Sequence, residues 1–414
     1  MALLPTIITG CWQLSAGHHG PIDESEARLA LARHVELGMG TLDCGDIYTG
    51  VEACIGRFLS SCPSALRAQV QVNTKFVPDL DSLKRVDSKY VEATLRRSAR
   101  RLRLRGPLDL VQFHWWDLDA GDFINVACQL AALARPDGPA GEQLVRKVGI
   151  TNFDTASTAA ILDAGVPLAT AQVQLSLLDR RALFSGLLAL CEQRQVSVLC
   201  YGALAGGLLS DRWIGVAEPP EWSVPMDAET RSLTKYFLVA KEFGSWQLLQ
   251  QLLACLRRVA DNKSSTDTTV AQIALAWVLH LPAVASCIVG LPRLAGVEGS
   301  AGQGRSEELR RAAAITLTSA ELSEIEAILS QSATGGPKGE VYELERERKS
   351  AHGEIMRYDL SQVGGLEHAT EILGELKQQQ EDDDKDHDDN DDAEDHGAYL
   401  RKQLKWEAAY CASA

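Results

Sequence analysis

Thr41-Leu42-Asp43-Cys44-Gly45-Asp46-Ile47-Tyr48 opens on a short apolar, β-branched run and reaches two ionisable side chains, Asp43 and Tyr48. The same figure recurs twice downstream. Val72-Asn73-Thr74-Lys75-Phe76 carries Lys75 to the end of a second run, and Val111-Gln112-Phe113-His114-Trp115-Trp116 carries His114 to the end of a third. Runs of this length and composition read as strands. Working outward, the pattern predicts strands over 6–12, 40–43, 70–75, 109–114, 147–150, 169–172, 196–201 and 286–289. Stretches with helical period lie between them, over 23–37, 51–60, 88–102, 122–133, 155–164, 181–193 and 268–279. Several strands are almost continuously apolar, as expected where a parallel sheet is buried on both faces. Strands each followed by a helical stretch fit an α/β fold of the (β/α)8 TIM-barrel type better than a doubly wound sheet. In such a barrel the chemistry lies at the C-terminal strand ends, where Asp43, Tyr48, Lys75 and His114 all fall.

An Asp, a Tyr, a Lys and a His converging on one mouth can make a phenol donate a proton at neutral pH. A free tyrosine, with a pKa near ~10, is a poor acid for that task. A nearby ammonium lowers that pKa, and a carboxylate holds the ammonium in place. A histidine beside the phenol can orient a carbonyl oxygen or relay a proton. The set suits reduction of a carbonyl by hydride with Tyr48 as general acid. Taken singly, Asp43 reads equally as a helix cap, Lys75 as a surface charge and His114 as a core histidine; it is the four together at strand ends that point to a site.

Composition narrows the classes. With 45% hydrophobic and 23% charged residues, the chain has the make-up of a soluble globular protein. No apolar run approaches the ~20 residues a bilayer span needs. The opening Met1-Ala2-Leu3-Leu4-Pro5 lacks a basic segment and runs into a strand pattern, so neither signal nor transit peptide is read and a cytoplasmic location is expected. Ten cysteines are scattered without a Cys-x-x-Cys pair, which argues for reduced thiols and no zinc site. Cys44, beside Asp43, reads either as a reactive thiol or as a small buried hydrophobe. Of the net charge of −15, a net −10 lies between Glu381 and Asp395, in eleven acidic residues and one lysine; the remaining −5 gives no nucleic-acid surface.

Three regions follow: a barrel over 1–334, an extension over 335–362 that packs on the barrel, and an acidic tail over 363–414 expected to be largely disordered. The segment 213–267 is too long for a simple connection and reads as a lid-like loop followed by the seventh barrel helix over 246–260. A Gly/Arg-rich insert over 296–306 interrupts the loop after the eighth strand.

Residue types and order resemble the aldo-keto reductase family, in which an Asp, a Tyr five residues on, a Lys ending the next strand and a His ending the one after form the catalytic tetrad. The resemblance covers roughly residues 6–360 and includes Phe113-His114-Trp115-Trp116-Asp117, Ser176-Leu177-Leu178-Asp179-Arg180-Arg181 and Gly339-Glu340-Val341-Tyr342-Glu343-Leu344-Glu345-Arg346. It implies a nicotinamide cofactor lying across the barrel top, which explains why no Gly-x-Gly-x-x-Gly fingerprint is needed. By the same resemblance Thr151, Asn152 and Gln172 hold the carboxamide and Tyr201 stacks on the ring. Gly202, Leu204 and Gly207, in Tyr201-Gly202-Ala203-Leu204-Ala205-Gly206-Gly207, bring backbone to the pyrophosphate. Arg293 or Arg305 is the partner of a 2′-phosphate. Glu307-Glu308 stands where the family has Glu-Asn, a departure that weakens the preference for NADPH, the expected cofactor, over NADH, the alternative. Trp12 and Trp115 are expected to line the substrate pocket, with Trp116, His18 and His19 nearby. The expected partner is a small carbonyl substrate and the expected state a monomer or weak oligomer, without nucleic acid, membrane or metal. The rival function is a nicotinamide-binding regulatory or sensor subunit on the same barrel.

Overall fold

Eight parallel strands close into a barrel in strict sequence order: β1 (Ile7–Gly10), β2 (Thr41–Asp43), β3 (Gln71–Phe76), β4 (Leu110–Phe113), β5 (Val148–Thr151), β6 (Leu168–Gln174), β7 (Ser197–Tyr201) and β8 (Val284–Gly290). The computed structural model describes residues 5–15, 24–78, 80–219, 231–263, 267–291, 301–333, 335–337 and 339–340. Register sets the strand ends side by side: Gly10 pairs with Asp43, Thr151 with Gln172 and Gln174 with Tyr201. The ring closes where β1 pairs β8, Ile7 against Cys287 through Gly10 against Gly290.

Alternation along the strands divides the apolar side chains. Ile8, Leu110, Leu199 and Ile288 form a small cluster from β1, β4, β7 and β8, as inward-facing residues do in a barrel too narrow for water. Their neighbours, such as Ile7, Val111 and Cys287, join the large cluster between strands and helices. Helices α1 (Glu24–Glu36), α2 (Val51–Ser61), α3 (Ser64–Arg67), α4 (Ser88–Arg101), α5 (Phe123–Leu133) and α6 (Thr155–Asp163) fill the first five connections. Local chemistry starts several of them. The carboxylates of Asp87, Asp122 and Asp154 accept the N–H groups of Tyr90, Asn125 and Ser157, as N-caps do.

Departures from the sequence reading have local causes. The first strand stops at Gly10 because Trp12–Leu14 winds into a 3-10 turn. The single helix expected over 181–193 is two, α7 (Arg181–Phe184) and α8 (Leu187–Gln193), parted at Gly186, whose φ of 87° is outside the helical range. The lid-like segment contains a further helix, α9 (Arg231–Phe243), before α10 (Trp246–Asp261). The barrel helix that leads into β8 is α11 (Val270–Leu279), started by a Thr269–Gln272 capping box, and not the 246–260 stretch. The helices α12 (Ala301–Ala312) and α13 (Ser319–Leu329) complete the order. Residues 296–300 of the Gly/Arg-rich insert, and the chain beyond Glu340 with its acidic stretch, lie outside the described residues, while 301–306 are not loop but the first turns of α12.

Candidate active site

Asp43 closes β2 and is the hub. Its Oδ1 accepts from the Lys75 ammonium of β3 at 2.6 Å, and its Oδ2 accepts from the amides of Gln112 on β4 and Gln172 on β6, each at 2.8 Å. Gln172 also donates to Gln112 Oε1 at 2.9 Å. Lys75 donates in addition to the Cys44 carbonyl at 2.7 Å, and its Nζ stands 4.8 Å from the centroid of the Tyr48 ring. An acid–base pair with exposures of 5% or less is stable only because both charges are matched and hydrogen-bonded in this way. Burial alone would lower the Lys75 pKa; Asp43 and Tyr48 outweigh it and hold the ammonium above its ordinary value. Tyr48 differs from expectation. It is half-buried, and what burial it has pushes the phenol up; Lys75 pulls it down and Asp43 pushes it up again, leaving it raised. Lys75 therefore limits a rise instead of producing a net depression, and the phenol keeps its proton.

His114 follows β4, anchored by its N–H to the Phe76 carbonyl at 3.0 Å, and its ring meets Trp116 edge-on with centroids 4.5 Å apart. Trp115 does not line the mouth. It is 1% exposed, donates its indole N–H to the Ala120 carbonyl at 2.9 Å and packs on Phe113 at 5.5 Å. Successive side chains alternate in direction here, so His114 and Trp116 share one side and Trp115 turns into the core.

Two further buried carboxyls, Glu52 and Asp46, lie near the tyrosine loop. Glu52 accepts from Thr74 at 2.6 Å and meets Arg101 at 3.4 Å. Asp46 accepts from the Val77 N–H at 3.1 Å, and burial, reinforced by Glu52, pushes its pKa up to about 8. Cys44 is fully buried and burial pushes its thiol well up, so it is a core residue and not a nucleophile.

The residues expected to hold a cofactor occupy neighbouring strand ends. Thr151 ends β5. Asn152 follows with φ 59°, a left-handed conformation Asn tolerates, donates its N–H to the Gln172 carbonyl at 2.9 Å and accepts from the Tyr201 hydroxyl at 3.1 Å. The glycine turn after β7 differs from expectation. The room left at Gly202 and Gly206 is filled by Tyr236 and Ser232 of α9, so these glycines make way for a helix; at Gly207 the open side faces the Arg212 guanidinium, 3.2 Å from where a Cβ would be. Leu204 is buried beneath the turn. Lys235 of α9 reaches the mouth, its Nζ 5.3 Å from the Tyr201 centroid and 5.8 Å from that of Trp12. Glu308 is held structurally, accepting from the Thr269 hydroxyl at 2.6 Å, and Glu307 pairs with Arg310. Arg293, His18 and His19 lie outside the described residues, as does the side chain of Arg305. Among the described residues no group of three His, Cys, Asp or Glu could hold a metal, and no helix is long and apolar enough to cross a membrane.

Gln112, Lys235 and Gln13 escaped the sequence reading. Gln112 had a signal: a lone amide in the otherwise apolar Leu110–Phe113 must find partners inside the barrel. Gln13 had none; its amide abuts Gly290 across the β1–β8 seam.

A model of the aldo/keto reductase family matches residues 6–329, and the chain belongs to that family. Its relatives include the flagellar radial spoke protein 5 of Chlamydomonas reinhardtii, 34% identical over 175 residues, a match that spans 40% of this chain but only 32% of that protein. The L-glyceraldehyde 3-phosphate reductase of Escherichia coli K12 is 24% identical over 313 residues, covering 71% of this chain and 82% of that one. Among solved structures, the glycerol dehydrogenase of Gluconobacter oxydans superposes with a TM-score of 0.58 at 23% identity, over 81% of this chain and 94% of that one. An aldo/keto reductase from Klebsiella pneumoniae in complex with NADP and acetate superposes with a TM-score of 0.54 at 22% identity, over 81% and 94%. At such identities the structures share the fold.

Proposed function

We propose that this chain reduces a small aldehyde or ketone to an alcohol, with NADPH as hydride donor and Tyr48 as proton donor. The observation that carries the reading is the buried Asp43–Lys75 pair set against the Tyr48 ring at the strand ends. When bound, the dihydronicotinamide supplies a hydride to the carbonyl carbon. The chain's own groups manage the oxygen. Tyr48 releases its hydroxyl proton to the oxygen as that atom gains charge, and the adjacent Lys75 ammonium stabilises the phenolate left behind. Asp43 fixes the ammonium, and Gln112 and Gln172 fix Asp43. His114 orients the carbonyl oxygen, with Trp116 and Trp12 walling the substrate side.

The cofactor reading fits the residues present. Thr151, Asn152 and Gln172 offer amide and hydroxyl partners on adjacent strand ends, Tyr201 offers an aromatic face, and Arg212 offers positive charge beside Gly207. Arg293 is the proposed 2′-phosphate partner and the basis for NADPH over NADH. The naming of relatives as reductases, and the NADP held by the Klebsiella structure, point the same way.

The test is Tyr48→Phe assayed by NADPH oxidation over an aldehyde panel that includes glyceraldehyde 3-phosphate. Loss of the proton donor is expected to lower turnover by about 100- to 10,000-fold while NADPH still binds. A variant that keeps wild-type rates removes Tyr48 from the mechanism.

A further inference from the structure

The loops that carry Asn152 and Gln172 are tied together from outside the barrel. Past α13 the chain turns back through Gly335, Gly336 and Gly339, with φ of 73°, 108° and 75°, conformations that side-chain-bearing residues rarely adopt. At Gly336 a Cβ would stand 2.6 Å from the Leu178 carbonyl oxygen, so this backbone lies directly on the loop after β6. At Glu340 the segment reaches the loop after β5. One carboxylate oxygen accepts both the N–H of Thr155, at 2.8 Å, and its hydroxyl, at 2.9 Å. Thr155 opens α6, three residues beyond Asn152. The Glu340 carbonyl accepts from Arg181 at 3.4 Å; Arg181 grips Asp179 at 2.9 and 2.6 Å, and Asp179 accepts from Gln174 at 2.7 Å, two residues past Gln172 on β6.

We propose that residues 335–337 and 339–340 form a strap for the nicotinamide end of the mouth, with Glu340 as a positioning residue that holds Asn152 and Gln172 where a carboxamide can meet them. The inference rests on the proposed cofactor reading of those two residues. Capping alone does not explain Glu340, because Asp154 already caps α6 through Ser157. Glu340 instead takes the Thr155 N–H, a helix-start donor commonly left to water, and so joins α6 to the loop after β6.

The test uses the full chain as E340A, E340Q and R181K, with NADPH titration and steady-state kinetics. Loss of the acceptor in E340A is expected to raise the NADPH Kd about fivefold. Its kcat at saturating cofactor is expected to stay within about twofold, because Asp43 keeps its bonds to Lys75 and Gln112 even if Gln172 shifts. In E340Q one amide oxygen can still accept both Thr155 bonds, so the wild-type Kd should return. R181K, which loses the bond to the Glu340 carbonyl, is expected to raise Kd in the same direction and keeps the test alive if E340A does not fold. Wild-type protein that binds NADPH while E340A and R181K bind it equally well overturns the strap alone. Wild-type protein that binds no NADPH overturns the strap together with the cofactor reading.

Discussion

Asp46 shows what a residue's identity conveys and what it conceals. Its place beside Tyr48 is plain in the sequence; its titration depends on burial and on Glu52, which only the fold brings together. The folded-state pKa, about 8, lies above the ordinary 3.8, so the folded chain holds this proton more tightly than the unfolded chain does. Its contribution to stability is therefore full below about pH 4 and lost as the pH rises through about 8. Over that window one extra bound proton corresponds to a fall of about 1.4 kcal/mol per pH unit. Asp46→Asn keeps an oxygen for the Val77 N–H and removes the titration, so its denaturation midpoint should vary less between pH 5 and 8 than the wild type's. Equal losses in both proteins would remove Asp46 from the pH dependence. The candidate site was legible because Asp43, Tyr48, Lys75 and His114 sit at strand ends in order. The raised Tyr48 pKa was not, because it is a balance between burial and Lys75 that no residue type encodes. Trp115 and Trp116 were indistinguishable as letters; direction along the chain separates them.

At the scale of elements, α9 is the principal addition. Leu233, Tyr236, Phe237, Ala240 and Phe243 recur at helical spacing, so the helix was available to a reader of the sequence. The run Glu218-Pro219-Pro220-Glu221 before it disguised the segment as a loop. Its partner, the glycine turn, was legible as a turn but not as a socket, because three glycines announce freedom without saying what uses it. Gly202→Ala puts a methyl against the Tyr236 hydroxyl at a φ of 69°, and should destabilise the chain by about 1–3 kcal/mol. Adding Tyr236→Phe removes the hydroxyl and should recover part of that loss in urea melts, while the backbone strain remains. A Gly202→Ala protein as stable as the wild type would mean that α9 does not seat on the turn.

For the molecule as a whole, the barrel was legible because each strand is a buried apolar run with a helical stretch behind it, a pattern repeated often enough to outvote any misplaced boundary. The helices between β7 and β8 blurred it, since nothing local says which of three leads into the last strand. Phe113 joins β4 to the wider core, stacking on Phe76 at 5.9 Å and meeting Phe153 at 5.3 Å. Phe113→Ala should cost about 3–5 kcal/mol. Far-ultraviolet circular dichroism and tryptophan fluorescence should still report one coincident transition; two separated transitions would mean the barrel does not unfold as a unit. The β1–β8 seam has a kinetic side. Ile7 pairs with Cys287, so the first strand made waits for the last one before its outer edge is covered. At ribosomal rates of about 5–20 residues per second, that edge stays open for roughly 15–60 s of synthesis, long enough for a chaperone to be the first partner the nascent strand meets.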